Sequence, residues 1–264
     1  MSFFKQFPKV EYDLNRTGSK QDMVDLFRSV RPLPSFLDNA TAYRFYEIPN
    51  GERPDIVSQR LYGTPDFYWT FFVVNDFLHD GYRSWPMTQE QLLTYMETEY
   101  NGFAIETNPA ARQDLRDSLA GRFELGETLV GSTSNATGTI TKKNIDMSQL
   151  VVQNVTGTYI GSLIGISNTT ERITGATSGD FVDTHRVFKY ADAPYYYYRE
   201  EDTKEKKPVT NAKHVSGGID DNDLAFVSNR THEFDLNEER SKIRYVDPNY
   251  IGQFVSAFKK AIKK

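Results

Sequence analysis

The stretch Tyr43–Met87 reads YRFYEIPNGERPDIVSQRLYGTPDFYWTFFVVNDFLHDGYRSWPM, and it contains both tryptophans of the 264-residue chain. Its first residues, Tyr43–Ile48, are rich in side chains that favour a pleated, half-buried strand. The residues that follow predict two helices and then a second strand that returns before Met87. The stretch therefore indicates a compact βααβ unit, around which the rest of the chain is arranged.

Helix start and stop signals divide the middle of this stretch into two helices. Pro54 suits the first turn of one helix, and Gly63 lies where a left-handed C-terminal cap is expected. Thr64 can cap the second helix, with Pro65 at its first position. The second helix is expected to end at Asn75.

The βααβ pattern resembles a LysM module. The residues that carry this resemblance are Arg53, Pro54, Ile56, Leu61, Tyr62, Gly63, Asn75 and Asp76. The aromatic sequence LYGTPDFYW at Leu61–Trp69 is similar, more narrowly, to the LysM-like wedge subunit of contractile-tail, T4-like phage baseplates. The resemblance implies a LysM-like core formed by Tyr46, Ile56, Leu61, Tyr62, Tyr68, Trp69 and Asn75.

Two later segments resemble the same family. One is the aromatic segment that contains Asp192, Pro194, Tyr195 and Tyr198. The other is the end of the chain, where a polar stretch, a short strand and an apolar helix follow one another, at Asn237–Arg240, Ile243, Asp247 and Ile251–Ile262. An aspartate before that helix is a suitable N-cap, and the apolar residues within it follow helical spacing.

The expected fold class is α+β, with a LysM-like βααβ core, extra helices, a small antiparallel β-domain insertion and a C-terminal amphipathic helix. The expected domains are an N-terminal arm (1–40), the LysM-like domain (41–100), a helical connector (101–125), an inserted β-rich domain (126–190), and a Tyr-rich segment with a strand and a C-terminal docking helix (191–264). Within the arm, Asp22–Val30 has the spacing of a helix, and another helix is expected to begin at Thr88.

The inserted domain differs in composition from its flanks. From Gly126 onward Thr, Ser, Gly, Val and Ile dominate, often alternating at every second position. A weak internal repeat relates Leu129–Gly131 to Leu163–Gly165, each followed by a Ser-Asn pair and an isoleucine. Each copy predicts a strand, a polar turn and a strand. A phosphate-binding loop at GSTSNATG is the weaker alternative, because the Gly-Lys-Ser/Thr ending is missing.

Charge and composition exclude several classes of partner. The net charge of -5 gives no basic field, so a nucleic acid is not an expected partner. The chain has no cysteine, which excludes disulfides and thiolate metal sites. The first residues are interrupted by Lys5, Pro8 and Lys9, unlike a signal peptide. The longest apolar run is too short to span a bilayer, so a membrane is not expected either.

Aromatic residues make up 14% of the chain, with 18 Phe and 16 Tyr. Aromatic side chains dominate both cores and protein interfaces, so this surplus favours extensive contact surfaces. The candidates for protein contact are Phe3, Phe4, Phe7, Tyr195, Tyr196, Tyr197, Tyr198, Ile251, Phe254 and Phe258. For the N-terminal arm and for the terminal helix, packing on their own domain remains open beside docking on a partner.

The sequence offers no recognisable catalytic constellation. Its four histidines are scattered, and a Gly-x-Ser-x-Gly nucleophile elbow is missing. Asp220, Asp221 and Asp223 lack the spacing of a calcium-binding loop, so we expect neither a metal nor a cofactor. A glycosidase needs only two suitably placed carboxylates, which leaves a cell-wall hydrolase as a distant third reading.

The resemblance implies a structural subunit, not an enzyme, of a phage tail baseplate wedge. Such a subunit joins neighbouring wedges into a sixfold ring around the tail-tube hub, in contact with other wedge proteins, the sheath-initiator protein and the hub proteins. It belongs to the virion tail baseplate and is made in the host cytoplasm. The alternative is a LysM-type module that binds N-acetylglucosamine polymers of peptidoglycan through the loops Pro49–Arg53 and Phe77–Gly81.

Overall fold

The computed structural model describes residues 7–14, 16, 18–25, 42–107, 119–161, 170–199, 206, 208 and 224–263. Contacts divide the chain into two compact units, each described by itself below. The first unit combines Met1–Gln89 with Leu236–Lys264, and the second unit is Glu90–Asp235.

The strands of the described residues are numbered in chain order. They are β1 (Lys9–Tyr12), β2 (Gln21–Val24), β3 (Tyr43–Glu47), β4 (Phe103–Glu106), β5 (Thr128–Gly131), β6 (Thr137–Asn144), β7 (Gln149–Thr156), β8 (Arg172–Gly175), β9 (Phe181–Asp183), β10 (Arg186–Lys189), β11 (Pro194–Arg199), β12 (Leu224–Ser228) and β13 (Lys242–Val246).

The α-helices of the described residues are α1 (Pro54–Tyr62), α2 (Trp69–Val74), α3 (Gln89–Glu99), α4 (Asn229–Ser241) and α5 (Ile251–Ile262). Short 3-10 helices occur at Pro65–Phe67, Asp76–Leu78, Gly81–Arg83 and Tyr190–Asp192. Among the described residues, no helix combines the length and apolar character that crossing a membrane requires.

The signals for α1 are confirmed, and the second predicted helix proves to be divided. Gly63 caps α1 in the left-handed conformation at φ 72°, which glycine adopts without steric cost. The Thr64 hydroxyl accepts a hydrogen bond from the amide of Asp66, but the turn that it caps is a 3-10 helix. The α-helix α2 begins only at Trp69.

The return strand expected before Met87 is wrong, because the described residues Tyr82–Met87 contain no strand. The strand that pairs with β3 is β13, antiparallel, with Tyr46 opposite Ile243 and Arg44 opposite Tyr245. Burial explains this choice: Ile243, Tyr245 and Val246 of β13 all lie in the core. The βααβ unit predicted within 43–87 is therefore not formed, because β3 pairs with the distant strand β13 instead.

The core of the first unit has two clusters of buried side chains. In one cluster, helix α5 packs its apolar stripe against Trp69, Val74 and Val246. The other cluster is organised around Val57, Phe71, Leu78, Trp85 and Ile243, between α1, α2 and β13. The amphipathic pattern of α5 is thus satisfied within its own unit.

The helix expected over Asp22–Val30 is wrong at its start. Residues Gln21–Val24 form β2, which pairs with β1 in an antiparallel hairpin. Cross-strand ion pairs accompany this register, such as Lys9 with Asp22 at 3.8 Å. Residues 26–30 lie outside the described part of the chain.

The second unit is built on a seven-stranded antiparallel sheet in the order β10-β4-β7-β6-β5-β8-β9. Its outer strands, β9 and β10, are joined by only Thr184 and His185, which requires the sheet to curl. The amide of His185 donates to the Glu106 carbonyl at 2.7 Å, and the amide of Thr184 donates to the Glu171 carbonyl at 2.8 Å. The interior contains Ile105, Leu129, Ile140, Leu150, Val152 and Ile173.

Two details of this unit differ from the sequence-based expectation. Phe103–Glu106 form strand β4 of the sheet, although they belong to the stretch predicted as a helical connector. The spacing of Leu115, Leu119 and Phe123 also predicts a helix that begins at Asn108. Residues 108–118 lie outside the described part of the chain, and the end of this prediction is wrong, because residues 119–123 are not helical and Phe123 has a φ of 57°. Beside the sheet, β11 and β12 form a two-stranded ribbon with a register shift between Pro194 and Tyr196.

Candidate functional site

A group of three aromatic rings on the first unit, of which one is exposed and two are half-buried, is the best candidate for a contact surface. We call Tyr68, Phe72 and Tyr82 the aromatic patch. The ring of Tyr82 lies 6.1 Å from that of Tyr68 and 5.5 Å from that of Phe72, measured between centroids. Tyr82 is 61% exposed, although it contacts two other rings. An aromatic side chain held in this way is preorganised for contact.

Local sequence explains how the patch forms. Tyr68 and Phe72 are four positions apart around the start of α2, so their side chains share one face. The 3-10 turn Gly81–Arg83 then places Tyr82 against them. Partial burial raises the pKa of the Tyr82 hydroxyl, and the nearby Tyr68 and Asp55 act in the same direction. Sequence analysis did not predict this patch. Its only signals in the sequence were the four-residue spacing of Tyr68 and Phe72 and the Gly81-Tyr82 pair.

Asn75 anchors the helix that carries the patch. Its Nδ2 donates to the carbonyls of Phe71 and Arg244, both at 2.8 Å. Its Oδ1 accepts from the Arg244 amide at 2.8 Å. The side chain thus pairs with β13 as a neighbouring strand would, and it is almost completely buried. It fixes the end of α2 against a strand that lies 169 positions away in the chain.

The other residues expected in the LysM-like core fall into three groups. Trp69 is buried, with its ring 4.6 Å from that of Phe258. Leu61, Tyr46, Tyr62 and Tyr68 are partly buried and pack against the two clusters. The Tyr62 hydroxyl donates to the Val246 carbonyl at 3.0 Å, and burial raises its pKa. Ile56 is not a core residue, because it is 48% exposed on the outer side of α1.

The first of the two loops considered for glycan binding is engaged in internal contacts. The carbonyl of Glu52 accepts from the indole of Trp85 at 2.7 Å. The Glu52 carboxylate forms an ion pair with Arg60 and accepts from the Tyr46 hydroxyl at 3.1 Å. In the second loop, Phe77 is partly exposed. The polar groups of Glu52 are therefore already satisfied within the unit.

The four consecutive tyrosines lie in different environments. Tyr197 is buried, and its hydroxyl donates to Glu106 at 2.7 Å. Tyr195 is 45% exposed, with its ring stacked 3.7 Å from that of His232. The register shift between Pro194 and Tyr196 explains why Tyr195 and Tyr197 do not share a face. Tyr196 and Tyr198 are half-buried.

The carboxyl group beneath Tyr197 is itself unusual. Glu106 also accepts a hydrogen bond from Gln149 at 3.2 Å, and its second oxygen is buried without a hydrogen-bond partner. Burial raises the pKa of Glu106, although the bonds from Tyr197 and Gln149 oppose the shift. This group stabilises the ribbon against the sheet and is sealed from solvent.

The remaining interface candidates are divided between the core and the undescribed part of the chain. Ile251, Phe254 and Phe258 are buried in the first unit. Phe7 is partly buried and packs against the same cluster. Phe3 and Phe4 lie outside the described residues. Of the candidates within the described residues, Tyr195 is thus the one that is exposed, at 45%.

Among the described residues of the second unit, two open cavities have volumes of about 520 and 470 Å³. Tyr100 lines both, and its hydroxyl donates to Glu233 at 2.6 Å. In the larger cavity, Asn229 donates to the carbonyl of Tyr190 at 2.7 Å. Among the described residues, no group of three or more His, Asp or Glu side chains has the geometry to hold a metal ion.

Comparison with known proteins points to one family for the first part of the chain. The family described as Base plate wedge protein 53 matches residues 2–105, which include the aromatic patch and Asn75. Baseplate wedge protein gp53 of Enterobacteria phage T4 is 30% identical over 92 residues, which cover 33% of this chain and 45% of that protein. The chain thus spans less than half the length of the curated relative that it matches. Residues 2–105 are similar to base plate wedge proteins. This similarity supports the interpretation of the chain as a baseplate wedge protein.

Proposed function

We propose that this chain is a structural protein of a phage tail baseplate wedge, and that it acts through protein–protein contacts and not as an enzyme. The observation that carries the proposal is that the aromatic patch, with its exposed Tyr82, lies within residues 2–105, the region of similarity to base plate wedge proteins. The protein then belongs to the tail baseplate of the virion, after synthesis in the host cytoplasm.

The patch has the composition of a binding hot spot. Tyrosine supplies a large apolar ring and a polar hydroxyl, and aromatic residues carry much of the binding energy at the centre of interfaces. Tyr82 already lies against Tyr68 and Phe72, so little conformational freedom is lost when a partner covers it. Arg53 and Asp55 lie near Tyr82 and give the patch a charged rim.

The first unit supports the patch as a rigid scaffold. Strands β3 and β13 come from distant parts of the chain, and Asn75 ties α2 to β13 by hydrogen bonds of 2.8 Å. Helix α5 fills the space behind Trp69. The LysM-like arrangement is thus proposed as a platform for protein contact, and not as a sugar receptor.

Within the baseplate, we assign the protein a joining role. It connects neighbouring wedges into a sixfold ring around the tail-tube hub of a contractile tail. Its partners are other wedge proteins, the sheath-initiator protein and the hub proteins. This finer role rests on the resemblance of the LysM-like, Tyr-rich and C-terminal segments to the T4-like wedge subunit.

A binding assay with the Tyr82→Ala variant tests the proposal. Purified full-length chain is titrated with the partly assembled wedge of the same phage. Loss of a central aromatic contact should weaken binding by about 30-fold, because a hot-spot side chain contributes about 2 kcal/mol. Leu125→Ala is the matched control, since Leu125 is 62% exposed but lies in the second unit. Equal binding by Tyr82→Ala and the unchanged chain contradicts the role of the patch.

Retention on peptidoglycan separates the proposal from the sugar-binding alternative. The proposal expects no saturable binding of the chain to isolated sacculi. Saturable binding that is lost on changing the loop Pro49–Arg53 would instead establish a LysM-type glycan site.

A further inference from the structure

Two segments of the second unit have the same local structure. Equivalent residues are 44 positions apart in the chain: Glu127 and Glu171, Gly131 and Gly175, Ser134 and Ser178. The sequences of the two segments are ETLVGSTSN at 127–135 and ERITGATSG at 171–179. In each, a glutamate precedes a four-residue strand that ends in glycine, and a tight turn follows. The strands, β5 and β8, are antiparallel neighbours in the sheet.

Each glutamate binds the turn of the other copy. The Glu171 carboxylate accepts from the amides of Thr133 at 3.2 Å and Ser134 at 2.9 Å, and from the Ser134 hydroxyl at 2.8 Å. The Glu127 carboxylate accepts from the corresponding groups of the second copy. These are the amides of Thr177 at 3.1 Å and Ser178 at 3.0 Å, and the Ser178 hydroxyl at 3.0 Å.

The backbone of the turns is also the same. The amide of Gly131 donates to the Ala136 carbonyl at 2.9 Å, and the amide of Gly175 donates to the Asp180 carbonyl at 2.8 Å. The fourth residue after each glycine has a positive φ, 53° at Asn135 and 73° at Gly179. The equivalence therefore extends from side chains to backbone, which marks the two segments as copies of one motif.

The glycines provide room for the carboxylates. A Cβ atom on Gly131 would lie 2.6 Å from Oε2 of Glu171, and one on Gly175 would lie 2.6 Å from both carboxylate oxygens of Glu127. Real Cβ atoms essentially never approach so closely, so a side chain at either position would displace the carboxylate. Neither glycine has a positive φ, so glycine is needed here for space and not for backbone conformation.

Burying a carboxylate is costly unless hydrogen bonds replace its water. Glu127 and Glu171 are both buried, and several oriented donors surround each of them. Successive backbone amides that converge in this way form an anion-binding concavity. The amides and hydroxyls of each turn are therefore arranged to bind a negatively charged group.

We propose that each turn is a carboxylate-binding site, and that the second unit contains two such sites, each occupied by the glutamate of the other copy. The two bound carboxylates form a reciprocal latch across β5 and β8. This inference concerns the second unit alone and does not depend on the proposed function.

Removal of one carboxylate and its replacement from solution test the proposal. In full-length Glu171→Ala, the amides of Thr133 and Ser134 should lose protection against hydrogen exchange, while Thr177 and Ser178 keep theirs. Sodium acetate should restore protection at Thr133 and Ser134 more than sodium chloride of equal ionic strength, because acetate can occupy the vacated site. Glu127→Ala should give the converse pattern. Glu124→Ala removes an exposed carboxylate of the same segment and is the control.

The outcomes that overturn the proposal are specific. Unchanged protection of Thr133 and Ser134 in Glu171→Ala contradicts it, as does equal recovery in acetate and in chloride. If Glu171→Ala is unfolded in both salts, the isosteric Glu171→Gln decides. We expect the midpoint of thermal unfolding to fall by about 5 °C or more in Glu171→Gln, since a neutral amide replaces a charged acceptor. A midpoint equal to that of the unchanged chain rejects the latch.

Discussion

The β3–β13 ribbon of the first unit and the β5–β8 pair of the second unit hold together in different ways. Strands β3 and β13 are almost 200 positions apart, and their register follows from apolar side chains buried behind them. Strands β5 and β8 belong to one repeated motif, and side chain to backbone hydrogen bonds hold the turns beside them. The first arrangement depends on the apolar core of its unit. The second adds hydrogen bonds at the turns to the core contacts of Leu129 and Ile173. Loss of a turn contact in the second unit should therefore remain more local than loss of core contacts in the first.

The largest effect is expected when the chain ends at Val246, which removes helix α5. The helix covers Trp69 and Val74 with five buried side chains, and the loss of a single one such as Phe258 costs about 3–5 kcal/mol. Since the stability of a domain is about 5–15 kcal/mol, the first unit should unfold. Hydrogen exchange of the β3 amides and of the β5 amides measures the two units separately. A chain that ends at Ile262 is the control, and native protection of β3 in the shorter chain would contradict the account of the core.

The next effect is expected for Asn75→Ala. This change leaves the partly buried amide and carbonyl of Arg244 and the buried carbonyl of Phe71 without the side chain that pairs with them. We expect the free energy of unfolding to fall by about 2–4 kcal/mol, because buried polar groups without partners are costly. Urea unfolding provides the measurement. Gln253→Ala, at an exposed position of α5, should change stability by less than about 0.5 kcal/mol. Equal effects of the two substitutions would show that Asn75 does not anchor α2.

A smaller effect is expected from pH, and mainly in the second unit. Burial alone would raise the pKa of Glu127 and of Glu171. Hydrogen bonds outweigh this effect and lower both values: they come from the turns, and also from the amide of Ile160 to Glu171 and from the amide of Glu124 to Glu127. A carboxyl group with a lowered pKa stabilises the folded state fully when the pH is above its ordinary pKa of 4.5. This contribution is lost as the pH falls through the lowered pKa. Protection of the β5 and β8 amides should therefore decrease with acidification below that pH. The slope should be smaller in Glu171→Gln, and an unchanged slope would argue against this assignment.

The smallest effect is expected for Arg172→Ala on strand β8. Arg172 forms an exposed ion pair with Asp183 at 3.2 Å and lies over the ring of Phe181 at 4.6 Å. Both interactions are largely solvated, so the loss in free energy of unfolding should be at most about 1 kcal/mol. Urea unfolding at low and high salt measures it, and the difference should shrink at high salt. A loss above about 2 kcal/mol would show that this pair, and not the latch, holds β8 in place.

Sequence reasoning found the elements that depend on near neighbours. Helix α1 with its cap at Gly63, the capping role of Thr64 and the apolar stripe of α5 all follow from spacing within a few residues. Alternation also indicated that the inserted segment is rich in strands. These signals are local, so one sequence is enough to detect them.

The candidate site was predicted only in part. The aromatic surplus indicated contact surfaces, but it could not distinguish Tyr197, which is buried on Glu106, from Tyr195, which a register shift leaves exposed. The internal repeat was recognised at its first copy, Leu129–Gly131, whereas the second copy that the sequence suggested, Leu163–Gly165, lies outside the described residues. Within the described residues, 171–179 repeats 127–135, and the features that define this repeat are the glutamate, the glycine and the serine.

The amino-acid sequence by itself determined helices α1 and α5 and the strand-rich character of the inserted segment, because capping and periodicity act over a single turn or a few strand positions. The tertiary structure decided that β13, and not Tyr82–Met87, pairs with β3. It also decided that Glu127 and Glu171 each accept hydrogen bonds from the turn of the other copy. Both outcomes depend on which distant residues can bury apolar surface or satisfy polar groups together. That information lies in the folded core and not in the spacing along the chain.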